Sequence, residues 1–293
     1  MKKSNIPIIL KITCFFIIVV LFTYCRKNCE VCNCEPKPPK PIDYTEFFIA
    51  HAGGAIDGVT YLNCVEALDL SYSKGCKLFE LDLSLTTDGK IIAAHDPPGI
   101  TEEEFMAKPP IAGKYHRMNM ESINLWFQNH PNAILITDKL NDPQRIYDEF
   151  QFRDRVIMEL FTWEAVDKAI ELGIKPMVSE NLIFGWSQKA MEMGIPPQSP
   201  PRGSKIEQTL KDKNIEYICM SRWYSIKGNE NLLRRLKANG IKNYVYHLEL
   251  IVPFAGQTAE EYVWNYEMNF CYGMYANDLD LLTTLLNDQP TKR

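Results

Sequence analysis

Eight short apolar segments recur along the chain from residue 47 onward, and they constrain the fold more than any other feature of the sequence. Three of the stretches between them carry apolar residues at helical spacing and end at a glycine, at Gly75, Gly173 and Gly240. Strands that alternate with helices predict a parallel sheet, and eight such units over about 250 residues predict a closed (β/α)8 TIM barrel. The eight segments are FFIAH, LFELDL, AILIT, VIMEL, PMVS, YICM, YVYHL and GMYA.

Composition and missing motifs exclude several other classes of protein. The chain is 46% hydrophobic, as expected of a folded domain, and its net charge of −5 comes without a block of Lys and Arg, which disfavours a nucleic-acid-binding protein. An open doubly wound sheet is the structural alternative, but no G-x-G-x-x-G motif opens the first helix. No G-x-S-x-G, P-loop or H-E-x-x-H motif is present either, which disfavours serine hydrolases, P-loop NTPases and zincins.

The first 41 residues form a targeting segment in our interpretation. Lys2 and Lys3 precede an apolar run from residue 6 to residue 24, which is typical of a secretory signal or a signal anchor. An uncleaved anchor is favoured, and lipidation at Cys25 or simple secretion are the alternatives. All three predict that the remaining chain is exported, and the first two that it is associated with a membrane through this segment.

A cysteine cluster and a proline-rich spacer follow the apolar run. Four cysteines lie from Cys25 to Cys34, and their spacing is not that of a structural zinc site. A tether next to the membrane is favoured, and lipidation, local disulfides or a loose metal clip are the alternatives. The sequence PKPPKP that ends at Pro41 is a stiff extended spacer. We therefore divide the chain into a segment of residues 1–41 and a barrel domain of residues 42–293, whose remaining cysteines are expected to be buried free thiols.

Acidic side chains mark the second predicted strand. Glu80 and Asp82 are two residues apart, so they share one face of the strand, and Asp138 with Lys139 ends the next barrel strand. Catalytic residues of such barrels lie where the strands end. Two carboxylates that point into a barrel mouth repel each other unless a hard divalent cation neutralises them. The alternative is that they are solvated surface acids.

A predicted β-hairpin after the second strand adds a histidine to this region. Asp88-Gly89 is a favoured two-residue hairpin turn, and pairing of Thr87 with Lys90 around it would set Asp82 opposite His95. His51 ends the first strand and would approach from the neighbouring side. Two histidines that flank an acid pair favour a functional site over a structural role.

These motifs resemble a known family. The run I-A-H-A-G-G (residues 49–54), then E-L-D-L (80–83) and A-A-H-D (93–96), is similar to the glycerophosphodiester phosphodiesterases, within the superfamily of phosphatidylinositol-specific phospholipase C-like phosphodiesterases. The resemblance implies that His51 and His95 are the acid and base. It also implies that Ca²⁺ or Mg²⁺ is the cofactor and that its ligands are Glu80, Asp82 and Asp138.

The chain departs from the family pattern at three places. The family usually has Arg directly after the first His, where this chain has Ala52. The usual Glu-Asn-Thr reads Leu-Asn-Cys here, so that only Asn63 matches, and the third acid is Asp138 followed at once by Lys139 rather than Glu with Lys two residues later. Sphingomyelinase D-type enzymes resemble the chain better in lacking that Arg and in using Asp as the third acid.

The sequence thus predicts a metal-dependent phosphodiester hydrolase that acts on a small-molecule or lipid substrate, either a glycerophosphodiester or a related (lyso)phospholipid. Lys139 is expected to bind the phosphate beside the metal, while one histidine takes a proton and the other gives one. The alternative is a catalytically inactive barrel that binds phosphate-containing ligands or lipids at the membrane, and Ala52 supports that hypothesis. His116, His130 and His247 are interpreted as structural or surface residues, although His247 ends a barrel strand. Glu159, also near a strand end, either reaches the site or forms a salt bridge at the rim of the core, and Trp223 is a candidate for a lipid pocket or the core.

Overall fold

The structure, a computed structural model, describes residues 42–201, 205–223, 228–248 and 256–288. The prediction of a targeting segment over residues 1–41 lies outside these residues and stays a prediction. The contacts within the chain divide it before Asp43, and the unit from Asp43 to Arg293 carries the barrel. Across the four described ranges, no helix has both the length and the apolar character needed to cross a membrane.

Nine strands in the described ranges form one sheet, and eight of them are parallel and close into a barrel. The first strand pairs with both the second and the last, which completes the circle. The TIM-barrel prediction is therefore confirmed. The strands are β1 (Phe48–Ala50), β2 (Leu78–Leu85), β3 (Ile91–Ala93), β4 (Ile134–Asp138), β5 (Val156–Leu160), β6 (Lys175–Ser179), β7 (Tyr217–Ser221), β8 (Lys242–Tyr246) and β9 (Gly273–Ala276).

Helices connect the strands on the outside of the barrel. Several begin at a side chain that caps the first turn, for example Thr162, whose hydroxyl accepts a hydrogen bond from the backbone N–H of Ala165 at 3.2 Å. The helix predicted before Gly75 is present, as are those before Gly173 and Gly240. The α-helices are Val65–Ser73, Glu102–Met106, Met120–Asn129, Pro143–Glu149, Trp163–Glu171, Glu180–Phe184, Gln188–Glu192, Lys205–Asp212, Glu230–Ala238, Ala259–Tyr262 and Asp280–Asn287.

The predicted hairpin exists between β2 and β3, but its predicted register is wrong by one residue. Leu83 pairs with Ala93, so Asp82 faces Ala94 rather than His95. The turn contains three residues instead of two, because Thr86 pairs with Lys90 through a 3.0 Å backbone hydrogen bond. Gly89 takes the left-handed conformation (φ 75°) that closes such a loop.

Side chains fill the barrel interior as well as the layer between strands and helices. The interior cluster contains aliphatic and sulfur-containing residues together with four tyrosines, Tyr217, Tyr244, Tyr246 and Tyr275. A larger outer cluster packs the other face of the strands against the helices. The four cysteines of this unit are free and buried, as expected. The interior of the barrel is thus packed with side chains.

Candidate active site

Three carboxylates meet at the carboxyl ends of β2 and β4. Glu80 and Asp82 point to the inner face of β2, and Asp82 pairs in register with Asp138 at the end of β4. One carboxylate oxygen from each residue lies within 4.8 Å of the other two. Their exposed fractions are only 1%, 3% and 5%, so the hypothesis of solvated surface acids is wrong. The structure brings the three predicted metal ligands together.

A strained backbone segment holds Glu80. The N–H of Ala52 donates a 2.7 Å hydrogen bond to Glu80 Oε2, and Ala52 adopts a left-handed conformation (φ 48°) to do so. Glu80 Oε1 is buried and has no hydrogen-bond partner within the described part of the chain. An orphaned carboxylate oxygen beside two other acids is a fitting ligand for a hard divalent cation.

The electrostatics of the three acids also fit a cation. Burial raises the pKa of Glu80 well above its ordinary value, and the charges of Asp82 and Asp138 raise it further. Burial and the charge of Asp138 likewise raise the pKa of Asp82. Burial alone would raise the pKa of Asp138 too, but the charges of Lys189 and Lys139 and the hydrogen bonds that both donate together outweigh it, and the net pKa is lowered. The negative charge of the three carboxylates is therefore neutralised only in part by the surrounding protein.

Both predicted histidines face one cavity of about 410 Å³, which Asp82 and Asp138 also line. The ring of Tyr61 lies between them, with its centroid 4.7 Å from that of His51 and 6.5 Å from that of His95. The predicted register of the hairpin was wrong, but the loop after β3 still brings His95 to the cavity. The structure thus places His51 and His95 on the same opening as the acids.

The two histidines have different surroundings. Burial lowers the pKa of His51 to about 3, and the positive charge of Lys189 acts in the same direction, so this ring is neutral at physiological pH. His95 is nearly half exposed, and its Nδ1 lies 3.0 Å from Oδ1 of Asp96. One histidine is therefore a half-buried residue of the cavity wall, while the other stands at the rim in contact with solvent.

Lys139 lines the same cavity as Asp82 and Asp138. Its backbone is left-handed (φ 63°), and its N–H donates to Asp138 Oδ1 at 2.6 Å. The Lys139 Nζ, however, lies 3.8 Å from Oε2 of Glu192, the last residue of the helix Gln188–Glu192. The charge of Lys139 is thus directed toward that helix.

Lys189 is a site residue that the sequence analysis missed. Its Nζ lies 2.9 Å from Asp138 Oδ2 and 3.0 Å from Glu159 Oε2, and 4.2 Å from the centre of the Tyr246 ring. Glu159, which the sequence left between a site role and a salt bridge at the rim of the core, is fully buried and forms this salt bridge. No local signal in the sequence marks Lys189, because its partners are 30 to 57 residues away.

A further carboxyl group, Glu180, lies in the same cavity and was also missed. It accepts hydrogen bonds from the Tyr246 hydroxyl at 2.7 Å and from the Ser221 N–H at 2.6 Å. Burial raises its pKa to about 7. Glu180 directly follows β6, so its position after a predicted strand was the signal that could have found it.

Of the remaining candidate residues, two lie at the cavity and two lie away from it. His247, interpreted from the sequence as a structural or surface residue, lines the cavity. Trp223 lies at the mouth with more than half of its surface exposed. His130 stacks on Trp126 at 4.0 Å, and His116 is an exposed partner of Glu66, so both are structural or surface residues as expected.

Comparison with known proteins gives a consistent picture of the fold. No family model matches the sequence, and no curated protein matches it. Solved structures do match. A glycerophosphodiester phosphodiesterase from Thermotoga maritima is 14% identical, with a TM-score of 0.58 over 82% of this chain and 97% of the other. A glycerophosphoryl diester phosphodiesterase from Parabacteroides distasonis ATCC 8503 is 15% identical, with a TM-score of 0.60 over 84% and 88% of the two chains.

A third matching structure has a bound ligand. It is an Oleispira antarctica phosphodiesterase in complex with the product sn-glycerol-3-phosphate. It is 13% identical, with a TM-score of 0.56 over 84% of this chain and 99% of the other. The fold that the motif resemblance implied is therefore confirmed.

Proposed function

We propose that this protein, which has the fold of the glycerophosphodiester phosphodiesterases, hydrolyses phosphodiesters in the cavity at the carboxyl ends of its strands. One observation carries the proposal: His51 and His95 open onto the cavity that the buried acids Asp82 and Asp138 line. An acid–base pair next to a cation site is what the displacement at phosphorus requires. The product bound to the Oleispira antarctica neighbour supports a small phosphodiester as substrate.

Glu80, Asp82 and Asp138 would hold the divalent cation, Ca²⁺ or Mg²⁺. Their oxygens come from adjacent strands of a rigid barrel and lie within 4.8 Å of one another, and hard cations prefer such ligands. When bound, the cation polarises the phosphoryl group and neutralises charge that develops on its oxygens. Asn63 and the Ala52 N–H orient the ligands Asp82 and Glu80.

The two histidines divide the proton transfers in this proposal. His51 is neutral because it is buried, so its ring has the protonation state of a base and takes the proton from the attacking hydroxyl. His95 gives a proton to the leaving oxygen. The attacking group is water or a neighbouring hydroxyl of the substrate; the first yields a phosphomonoester directly and the second a cyclic phosphate. Lys139 binds the phosphate from the rim of the cavity.

The apolar run of residues 6–24 supports the proposal that the barrel is exported and held at a membrane. Substrates there include lysophospholipids as well as glycerophosphodiesters. Exposed Trp186 and Trp223 at the mouth of the cavity would tolerate contact with such amphipathic molecules.

Ala52 favours a second candidate function, namely ligand binding without turnover. Its side chain is fully buried and its N–H is bound to Glu80, so this position offers no cation to a phosphate. A barrel that binds phosphate-containing ligands or lipids at the membrane without turnover is consistent with that feature. The presence of both histidines and all three acids favours the hydrolase.

A substrate panel tests the proposal. Glycerophosphocholine, glycerophosphoinositol and a lysophospholipid are incubated with the protein and Ca²⁺ or Mg²⁺, and products are followed by ³¹P NMR. Hydrolysis of at least one substrate, with a phosphomonoester or cyclic phosphate as product, is expected. Binding of all three without turnover would favour the inactive barrel instead.

A further inference from the structure

Lys189 lies on a short helix outside the strands, yet its side chain enters the barrel mouth. The helix Gln188–Glu192 follows β6 and begins at Ser187, whose hydroxyl accepts a hydrogen bond from the Ala190 N–H at 3.1 Å. The side chain of Lys189 is only 11% exposed and lines the cavity shared by the two histidines. A lysine on so short a surface helix would ordinarily extend into solvent.

The contacts of Lys189 come from three different strands. Asp138 ends β4, Glu159 lies on β5 and Tyr246 ends β8, and the Lys189 Nζ is 2.9 Å, 3.0 Å and 4.2 Å from their carboxylates and ring centre. An ammonium group has three N–H donors, of which two are directed to the carboxylates. The group therefore stands inside the site, next to a predicted metal ligand, and lines the space a ligand would fill.

The local charges explain why a positively charged side chain is needed at this point. Asp82, Asp138 and Glu180 are buried acids that line the cavity. Glu80 is buried beside the first two, and Glu159 is buried beside Lys189. A phosphodiester carries a negative charge, and acids in such excess would repel it. Lys139 also lines the cavity, but its Nζ is turned toward Glu192. Lys189 is the lysine whose ammonium contacts the acids themselves.

We propose that Lys189 is an anion-binding residue of the site, and that its ammonium binds a non-bridging oxygen of the substrate phosphoryl group next to the cation held by Asp138. This inference rests on the proposed function, which supplies the phosphate ligand. The alternative role for Lys189 is structural, as the counter-charge of buried Glu159. The two roles differ in what happens when Lys189 and Glu159 are removed together.

Binding of sn-glycerol 3-phosphate, measured by titration calorimetry in a Mg²⁺ buffer, separates the two roles. Lys189→Met should weaken binding by roughly 10- to 100-fold, the value of a hydrogen bond to a charged group. The double variant Lys189→Met/Glu159→Gln removes the ammonium together with its buried partner Glu159, so that no charge at Glu159 is left unpaired. Asp138, the other partner of Lys189, keeps the hydrogen bond from the Lys139 N–H and its place among the three clustered acids. Binding by the double variant should be as weak as that of the single variant, and Lys189→Arg should keep most of the affinity.

Lys242→Met is the matched control, because Lys242 forms a comparable 3.0 Å ion pair with Glu46 outside the cavity. It should bind sn-glycerol 3-phosphate like the wild type. Wild-type affinity in the double variant would overturn the inference, as would a wild-type protein that binds no sn-glycerol 3-phosphate. If the wild type turns over no phosphodiester but still needs Lys189 to bind the phosphomonoester, the proposed function fails and the inference on Lys189 stands.

Discussion

Asn63 holds Asp82 from two sides. Its Nδ2 donates a hydrogen bond to Asp82 Oδ2 at 2.9 Å, and its Oδ1 accepts one from the Asp82 backbone N–H at 3.0 Å. Asn63 is almost fully buried and has a left-handed backbone (φ 47°), a conformation that asparagine tolerates better than most residues. The amide therefore fixes both the strand and the carboxylate that the strand presents.

Replacing Asn63 should weaken the metal site without abolishing the fold. Asn63→Gly retains the left-handed backbone and removes the amide, so we expect Mg²⁺ or Ca²⁺ affinity to fall about 10- to 100-fold, as is typical when a residue that orients a metal ligand is lost. Calorimetric titration with each metal measures the change. Asn63→Ala should show the same loss with lower thermal stability, because alanine is strained at positive φ. Unchanged affinity in both variants would mean that Asn63 does not orient Asp82.

The histidines provide the second prediction. His51→Ala or His95→Ala should each lower kcat/KM by about 10²- to 10⁴-fold, and the double variant should lose much less than the product of the two, because residues of one mechanism act as a unit. Steady-state kinetics on the best natural substrate measure the losses. A phosphodiester with p-nitrophenol as its leaving group needs no proton on that group. It should therefore restore activity only to the variant without the general acid, which we expect to be His95→Ala.

The control for the histidine variants is His116→Ala, since His116 is exposed and pairs with Glu66 at the surface. Its kinetic constants should equal those of the wild type. Near wild-type rates in both His51→Ala and His95→Ala would contradict the paired-histidine mechanism and favour the inactive barrel.

Metal removal provides the third prediction. Excess EDTA should abolish turnover, and Ca²⁺ or Mg²⁺ should restore it. Because burial raises the pKa of Glu80 and Asp82, a cation must displace protons from them, so metal affinity should weaken as the pH falls. Calorimetric metal titrations at several pH values measure whether the affinity falls as the pH falls. Full turnover in EDTA would show that the acids do not hold a required metal.

The barrel itself was predictable from sequence, and the reason is visible in particular strands. Leu78–Leu85, Val156–Leu160 and Gly273–Ala276 match the predicted segments closely, because buried parallel strands are continuous apolar runs. The hairpin register was not predictable. Asp88-Gly89 is compatible with a two-residue turn and with a three-residue loop that ends in a left-handed glycine. The Thr86 hydroxyl, bonded to Asp88 and to the Lys90 N–H, stabilises the longer loop.

The residues that the sequence placed together lie at strand ends or, for His95, in the loop directly after β3. His51, Glu80, Asp82 and Asp138 meet in the structure because the ends of adjacent parallel strands share one edge. Lys189 comes from a five-residue helix, and its position depends on how the loop after β6 folds back over the barrel. That path depends on tertiary packing, for which short-range sequence patterns carry no signal.

Glu180 gives a prediction on stability and pH. Its pKa is raised from 4.5 to about 7 in the folded protein, so between these values the folded state holds a proton that the unfolded chain has lost. Stability should therefore fall as the pH rises through this window, by up to roughly 3 kcal/mol from this group. Glu180→Gln should remove that slope. Urea unfolding of both proteins between pH 4.5 and 8 compares them, and parallel curves would contradict the assignment.

The last prediction concerns the domain boundary. A protein of residues 42–293 should be soluble, unfold cooperatively and keep the activity of the full chain, because the barrel unit begins at Asp43, where the Asp43 side chain accepts a 3.1 Å hydrogen bond from the Thr45 N–H. Sedimentation, urea unfolding and the substrate assay check this. Aggregation of the shortened chain would show that residues 1–41 belong to the fold.

The tyrosines inside the barrel restrict how ligands travel. Tyr217, Tyr244 and Tyr275 are almost fully buried and close the interior below the site. In the proposed reaction a phosphodiester gives two products, and with the interior filled both would leave through the opening by which the substrate entered. A product that remains bound thus blocks the next substrate. Turnover is then coupled to the order of product release, and a phosphomonoester product would compete directly with the substrate for the same opening.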